Sequence, residues 1–359
     1  MCQHDHPHQH SHDHYPIECV IPPYMTQHLT KSENPEIRER AIANLAAAAA
    51  FRAVRSTTRG FPSFMAQMSP SKGKYRQIYD AGKSPDMRKK LVRSEGDAKS
   101  TDDAVNEAYD YSGDVYDYYS QLFKRNSLDD KGMTLISTVH LSENDGSPLD
   151  NAFWNGEQMA YGDGDGVIFQ RFTKSLDVVG HELTHGVQSF TSNLEYQGQS
   201  GALNEHFADV GGILIRQWKN GEAVKNANWL IGVEVLMPAP TRRGIRDMEH
   251  PGTAYTNDPQ LGTDPQPADM RHLYKGSQDN GGVHINSGIP NRAFVLSAQA
   301  LGGNSWENIG PIWFETMVQL STTSNFQDCA RISIQVATSH GAAAKKAVTA
   351  AWKKVGVSV

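Results

Sequence analysis

The five residues His181-Glu182-Leu183-Thr184-His185 restrict what this chain can fold into more than any other stretch. Two histidines four positions apart lie about one turn from each other on the same face of a helix, close enough to grip one metal ion. A second segment, Ser200 to Trp218, has helical character with Ser200 as its N-cap. Glu205 and Asp209 are again four apart on it, and Leu203, Phe207, Val210 and Ile213 mark a largely buried helix. Bare carboxylates are costly there, and a metal relieves the cost. A catalytic zinc takes three protein ligands and keeps one position for water. His181, His185 and Glu205 supply three. Asp209, with Asn204 beside the ligand, is then free to orient the site by accepting the outer N–H of a ligating histidine. Glu182 reaches the open side of the metal, where a general base would stand.

A chain of 359 residues holds two domains and a short extension. A formal charge of −6 and a pI of about 6.2 argue against nucleic acid or an anionic membrane as partner. The three cysteines (Cys2, Cys19, Cys329) are odd in number and widely spaced, so no disulfide framework is implied. Residues 1–15 are polar, no apolar stretch of signal-peptide length follows, and no run is long enough to span a bilayer. The expectation is a soluble monomer, cytoplasmic or secreted by a leaderless route. His4, His6, His8, His10, His12 and His14 alternate with small or acidic residues, a solvated tract that binds metal weakly.

Asn34-Pro35-Glu36 opens a helix with a cap, a proline at the first position and an acid in the first turn. Its apolar face runs through Ile37, Ala41, Ile42 and Leu45 toward Val54. Gly60-Phe61-Pro62 ends that region, and Ser69-Pro70-Ser71-Lys72-Gly73 reads as an exposed linker. Arg76 to Tyr79 and Met133 to Val139 read as strands, and Thr101 to Phe123 as a helix with a Tyr-rich apolar face. The metal helix spans about Leu176 to Phe190. Ser200–Trp218, Ser287–Leu301, Ser305–Leu320, Asn325–His340 and Ala342–Val355 are further helices. The predicted fold is α+β in two lobes, β-rich before the metal helix and mainly helical after it. The division is residues 1–70 as tail and leader, 71–190 as the first lobe and 191–359 as the second.

From about Tyr75 onward the chain resembles the thermolysin-family metallopeptidases. The resemblance rests on Asn151-Ala152-Phe153-Trp154, on Tyr161-Gly162-Asp163-Gly164-Asp165-Gly166, and on Asp177-Val178-Val179-Gly180 before the metal motif. Tyr196 and the run Asp279-Asn280-Gly281-Gly282-Val283-His284-Ile285-Asn286-Ser287-Gly288 complete it. The short leader with Ile21-Pro22-Pro23-Tyr24 is similar to that of the protealysin-like branch, which implies a propeptide acting in cis.

That resemblance implies a zinc endopeptidase on protein or peptide substrates, made as a zymogen. Tyr196 and His284 would steady the developing oxyanion, with Asp279 orienting His284. Asn151 and the Ala152 carbonyl would hold the substrate backbone like an added strand, and Arg246 would bind a substrate carbonyl. Phe169, Phe172, Val178 and Ile245 would form the pocket after the scissile bond, shallower for Phe172, with a preference for Leu or Phe. Asp247 stands where the family usually has Ser. Structural calcium is expected to be reduced or absent. Asp177 is kept, but Arg216 replaces its glutamate partner, Asn228, Leu230 and Val233 replace acidic positions, and Arg243 replaces the aspartate of the single site. Two rivals stay open: a zinc aminopeptidase with its third ligand on a later helix, and a non-catalytic metal-binding protein built on the His-rich tail.

Overall fold

A computed structural model of the chain describes residues 18–45 and 73–359. The His-rich tract, the helix beyond residue 45 and the linker as far as residue 72 lie outside the described residues. The leader contributes β1 (Glu18–Cys19), α1 (Pro23–Leu29) and α2 over residues 35–45. Pro23 opens α1 at the position where a missing N–H costs nothing. Asn34 caps α2 as its sequence predicts, accepting from Glu36 N at 2.9 Å.

Six strands form one mixed sheet in the order β1-β5-β6-β4-β2-β3. These are β2 (Arg76–Ser84), β3 (Lys90–Ser94), β4 (Leu135–Leu141), β5 (Ala152–Trp154) and β6 (Met159–Gly162) with β1. β2, β4 and β6 run parallel, while β3 and β5 flank them antiparallel. β1 pairs antiparallel with β5, Glu18 opposite Trp154 and Cys19 opposite Phe153. The leader therefore supplies an edge strand to the sheet of the lobe that follows it.

Against the sheet packs α3 (Asp103–Phe123), capped by Asp102 through bonds from Ala104 N and Val105 N. The other oxygen of Asp102 meets His140 Nε2 at 2.8 Å, and His140 Nδ1 meets Asp163 at 2.8 Å. One imidazole thus ties the start of α3 to the end of β4 and to the turn after β6. That turn is closed by Asp165 Oδ1, which accepts from the backbone N–H of Val167, Ile168 and Phe169.

α4 (Leu176–Ser189) and α5 (Gly198–Asn220) follow, then β7 (Leu230–Ile231) and β8 (Arg246–Asp247) as a small two-stranded ladder. α6 (Gln278–Asn286), α7 (Gly288–Leu301), α8 (Ser305–Gln319), α9 (Phe326–Ser339) and α10 (Ala342–Lys354) complete a mainly helical second lobe. Among the described residues no helix is long and apolar enough to cross a membrane. Several boundaries differ from expectation, the start of α5 most consequentially. α5 starts at Gly198, and Ser200 is no cap: its hydroxyl donates to Gln197 O at 2.8 Å inside the first turn.

α4 and α5 touch through glycine. The Cα of Gly212 lies 3.1 Å from where a Cβ on Gly180 would stand. A Cβ on Gly212 would lie 2.3 Å from Asp177 O. Only bare backbone lets these helices approach so closely, and their spacing decides how far apart their side chains can meet.

Candidate active site

α4 presents His181, Glu182 and His185, and α5 presents Asn204, Glu205 and Asp209, all buried. His181 Nε2 and His185 Nε2 stand 3.1 Å apart. Glu205 reaches them at 3.6 Å on either oxygen. The three donor atoms lie within 4.8 Å of one another, the spread a single ion requires.

The protons on these rings follow from their other neighbours. His181 Nδ1 lies 2.8 Å from Asp209 Oδ1, and a carboxylate accepts, so that nitrogen carries the hydrogen. His185 Nδ1 lies 2.7 Å from Asn204 Oδ1. The Asn204 amide is oriented by its own donation to Leu194 O at 3.2 Å. In the metal-binding form both Nε2 atoms would turn lone pairs toward each other and toward a carboxylate. Glu205 Oε2 is buried without a hydrogen-bond partner. Converging lone pairs in a dry site repel, and a divalent cation resolves the conflict. The donor set of two imidazoles and one carboxylate fits zinc with a position left open.

Asp209 serves more than His181. It accepts Arg246 Nε at 2.8 Å and Nη2 at 2.7 Å, and Asn291 Nδ2 at 2.9 Å. Burial alone would raise its pKa, but Arg246 and then His181 outweigh that and hold it well below the usual carboxylate range. β8 positions Arg246 by pairing it with Ile231. Its remaining nitrogen, Nη1, donates to Val20 O at 2.8 Å.

His284 and Asp279 converge through an unusual turn. Asp279, Asn280, Gly281 and Gly282 all take left-handed φ values, 53°, 49°, 79° and 84°. Glycine is required at the last two. A Cβ on Gly282 would sit 2.6 Å from the Tyr274 ring, and one on Gly281 would crowd Gln197. The turn brings Asp279 Oδ1 to 2.6 Å from His284 Nδ1 while Asp279 Oδ2 accepts from His284 N. Burial would lower the pKa of His284; Glu205 and Asp279 outweigh it and raise it to about 9. Its Nε2 lies 3.0 Å from Cys19 O and 3.2 Å from the Tyr196 hydroxyl, which donates to Glu205.

Glu182 accepts from Trp154 N at 2.9 Å, which fixes it beneath β5. Asn151 Oδ1 accepts from Ile21 N at 3.3 Å and from Ala152 N at 3.0 Å. Phe169, Phe172, Val178 and Ile245 belong to one buried cluster that also holds Val20 and Ile21. The polar site residues thus gather around His181, His185, Glu205 and residues 19–21, while Phe169, Phe172, Val178 and Ile245 are buried in the main core. Ile21 was noted only as part of the leader motif, and residues 18–20 were not singled out. The signal was the short apolar run Cys19-Val20-Ile21, after the polar opening and directly before Pro22-Pro23. Asn291 was also missed, having no motif of its own.

The calcium-site positions are internally paired. Arg216 Nη1 donates to Asp177 and, at 2.8 Å, to Leu230 O, while Nη2 donates to Asn228 O. Asp177 further accepts from Ser175 Oγ at 2.7 Å and Gly232 N at 3.1 Å. Arg243 pairs with Asp247 at 2.6 Å, and Asp247 also closes its loop onto Glu249 N and His250 N.

Two family descriptions match the chain: "Thermolysin metallopeptidase, catalytic domain" over residues 64–189 and "Thermolysin metallopeptidase, alpha-helical domain" over residues 192–357. An extracellular metalloprotease of Pectobacterium carotovorum is 45% identical, covering 96% of this chain and 97% of its own. A thermolysin of Alicyclobacillus acidocaldarius is 39% identical over 72% of this chain and 46% of its own. The solved precursor of protealysin, a metalloproteinase from Serratia proteamaculans, superposes with a TM-score of 0.85 at 42% identity, covering 95% of this chain and 100% of its own. These relatives correct the expected compartment. A relative aligned along nearly the whole chain is named extracellular, so the cytoplasmic expectation falls.

Proposed function

The chain belongs to the thermolysin metallopeptidase family, and from that premise we propose that it is a zinc endopeptidase made as a self-processing zymogen and active outside the cell. The observation that carries the reading is the seating of residues 18–21. This segment lies along β5 as an added strand and gives its carbonyls to His284 and Arg246 and its N–H to Asn151. A cleft that binds an internal stretch of peptide through its backbone suits an endopeptidase.

Zinc held by His181, His185 and Glu205 would polarise the scissile carbonyl and acidify a water molecule. Glu182 takes the proton of that water and hands it to the departing amine. His284 and Tyr196 donate toward the carbonyl oxygen as it gains charge, and Asp279 keeps His284 charged and aimed. Asn151 and Ala152 align the substrate, and Arg246 grips the carbonyl of the residue after the bond. The apolar wall of Phe169, Phe172, Val178 and Ile245 favours a bulky apolar side chain there. Asp209 and Asn204 orient the ligating imidazoles. Residues 1–70 serve as tail and propeptide, 71–190 and 191–359 as the two lobes of the enzyme, and the maturing cut falls between about Gly60 and Tyr75. The Arg216–Asp177 pair stands in for structural calcium.

Glu182→Gln tests the mechanism. The variant should retain zinc in stoichiometric amount, because all three ligands remain, and lose peptide hydrolysis. Near-wild-type turnover with zinc bound would overturn the assignment. The same variant, purified alone, should keep its propeptide. Trimming at the wild-type bond would assign maturation to another protease.

A further inference from the structure

Three contacts fix residues 19–21 to the cleft one residue at a time. His284 Nε2 lies 3.0 Å from Cys19 O, Arg246 Nη1 donates to Val20 O at 2.8 Å, and Asn151 Oδ1 accepts from Ile21 N at 3.3 Å. Before them, β1 is in antiparallel register with β5. The segment is therefore held on both sides of one peptide bond, with its direction defined. In the proposed mechanism the carbonyl approached by His284 is the one that gains charge, and the carbonyl held by Arg246 belongs to the next residue. The bond between those two residues is Cys19–Val20. The side chain that follows it is apolar and buried: Val20 is 0% exposed and belongs to the same main core as Phe169, Phe172, Val178 and Ile245.

We infer that the Cys19–Val20 peptide bond lies at the reacting position and that the enzyme hydrolyses it in its own leader, a processing site separate from the linker cut. This rests on the endopeptidase reading proposed above. In the step, a water oxygen bonds to the Cys19 carbonyl carbon and the C–N bond breaks. Glu182 carries the water's proton to the Val20 nitrogen. The products are residues 1–19, ending in a carboxylate at Cys19, and a chain that begins with the amine of Val20.

This cut does not by itself empty the cleft. The chain after Val20 is anchored by Met25 and Leu29 of α1 and Ile37 and Ala41 of α2, all buried in the main core. Asn44 exchanges hydrogen bonds with Asp150, and Arg40 reaches Asp165. The new terminus at Val20 stays beside the apolar wall, so the leader behaves as a substrate that is cut and retained. Activity requires a second event, the linker cut and departure of the remainder.

The test uses the full chain, prepared without metal and then given zinc. Intact mass and N-terminal sequence are followed with time at two protein concentrations tenfold apart, beside the Glu182→Gln and Val20→Asp chains. The expected result is a 1–19 fragment and a Val20 terminus forming at a rate independent of protein concentration. Neither product forms with Glu182→Gln, and both form about tenfold or more slowly with Val20→Asp, whose charge is disfavoured by the apolar wall. An internally quenched peptide with blocked ends is assayed in parallel. If that peptide is cleaved while no Val20 terminus ever forms, the Cys19–Val20 assignment is wrong and the endopeptidase reading survives. If the blocked peptide is not cleaved even by zinc-loaded chain from which the leader has been removed, the reading fails and the assignment falls with it.

Discussion

At the scale of single residues, Asp209 would join metal holding to substrate holding in the proposed mechanism. Its two oxygens receive His181, the guanidinium of Arg246 and the amide of Asn291. Replacing it by Asn keeps the volume and removes the charge that fixes the His181 tautomer. Zinc affinity should drop by about 10–100-fold, read by competition with a calibrated chelator, because partners of ligating histidines are worth about that much. His284→Ala removes one oxyanion donor and leaves Tyr196, so turnover should fall by about 10²–10³ with zinc content unchanged. Arg216 belongs to stability instead. It is 6% exposed against an Asp177 that is 0% exposed, so Arg216→Ala would strand a buried carboxylate and cost about 3–5 kcal/mol in denaturant unfolding of the mature enzyme. A calcium-selective chelator that spares zinc should leave the wild-type melting temperature unchanged; a large drop would show that calcium is structural after all. The sequence carried this site unevenly. Ligands four apart on a helix announce themselves, whereas Asn204 pairing with His185 and Asn291 with Asp209 depends on helices meeting in space, which no local pattern encodes.

Among elements, the seam between α4 and α5 sets the geometry of the metal site. Gly212→Ala drives a methyl into the backbone at Asp177 O, and backbone cannot swing aside as a side chain can. The helices must separate, so stability should fall by about 1–3 kcal/mol and zinc should be lost more readily, both measurable on one preparation. Unchanged zinc retention would mean that the seam does not govern ligand spacing. His140 is a second junction, between α3, β4 and the turn after β6. Its hydrogen bond to Asp163, against partial burial and with help from Asp102, raises its pKa from 6.5 to about 9. A histidine raised on folding contributes stability that is fully present below pH 6.5 and lost as pH climbs through about 9. His140→Gln should therefore cost about 1–2 kcal/mol near pH 6, allowing for its partial exposure, and progressively less above pH 9. A penalty that grows with pH would reverse the assigned charge state. α3 and α7 to α10 were legible from their apolar spacing. α4 and α5, buried on every side, were legible from their motifs, and α1 and α6 were not read as helices. β1, β5, β7 and β8 are two or three residues long and were not legible, since so short a strand has no period to read.

For the whole molecule, the leader is part of the core rather than a cover laid over it. Val20, Ile21, Met25, Leu29, Ile37 and Ala41 all enter the main buried cluster. A synthetic peptide of residues 18–45 should accordingly inhibit the mature enzyme competitively, and the same peptide with Val20→Asp should do so about tenfold or more weakly, as steady-state kinetics would show. Equal inhibition by both would mean that the strand contributes little to docking. The two-lobe plan was readable from the sequence because strand-like and helical stretches are segregated on either side of the metal helix. What the sequence did not reveal was that the leader's opening strand completes the sheet. β1 lies outermost, next to β5, and when it leaves, β5 becomes the edge strand of the sheet. The feature that lets the cleft accept a peptide is therefore also an invitation to any other extended chain, including a second copy of the enzyme. Until that edge is wanted, the leader keeps the protein from sticking to itself, and its loss exchanges colloidal safety for reach.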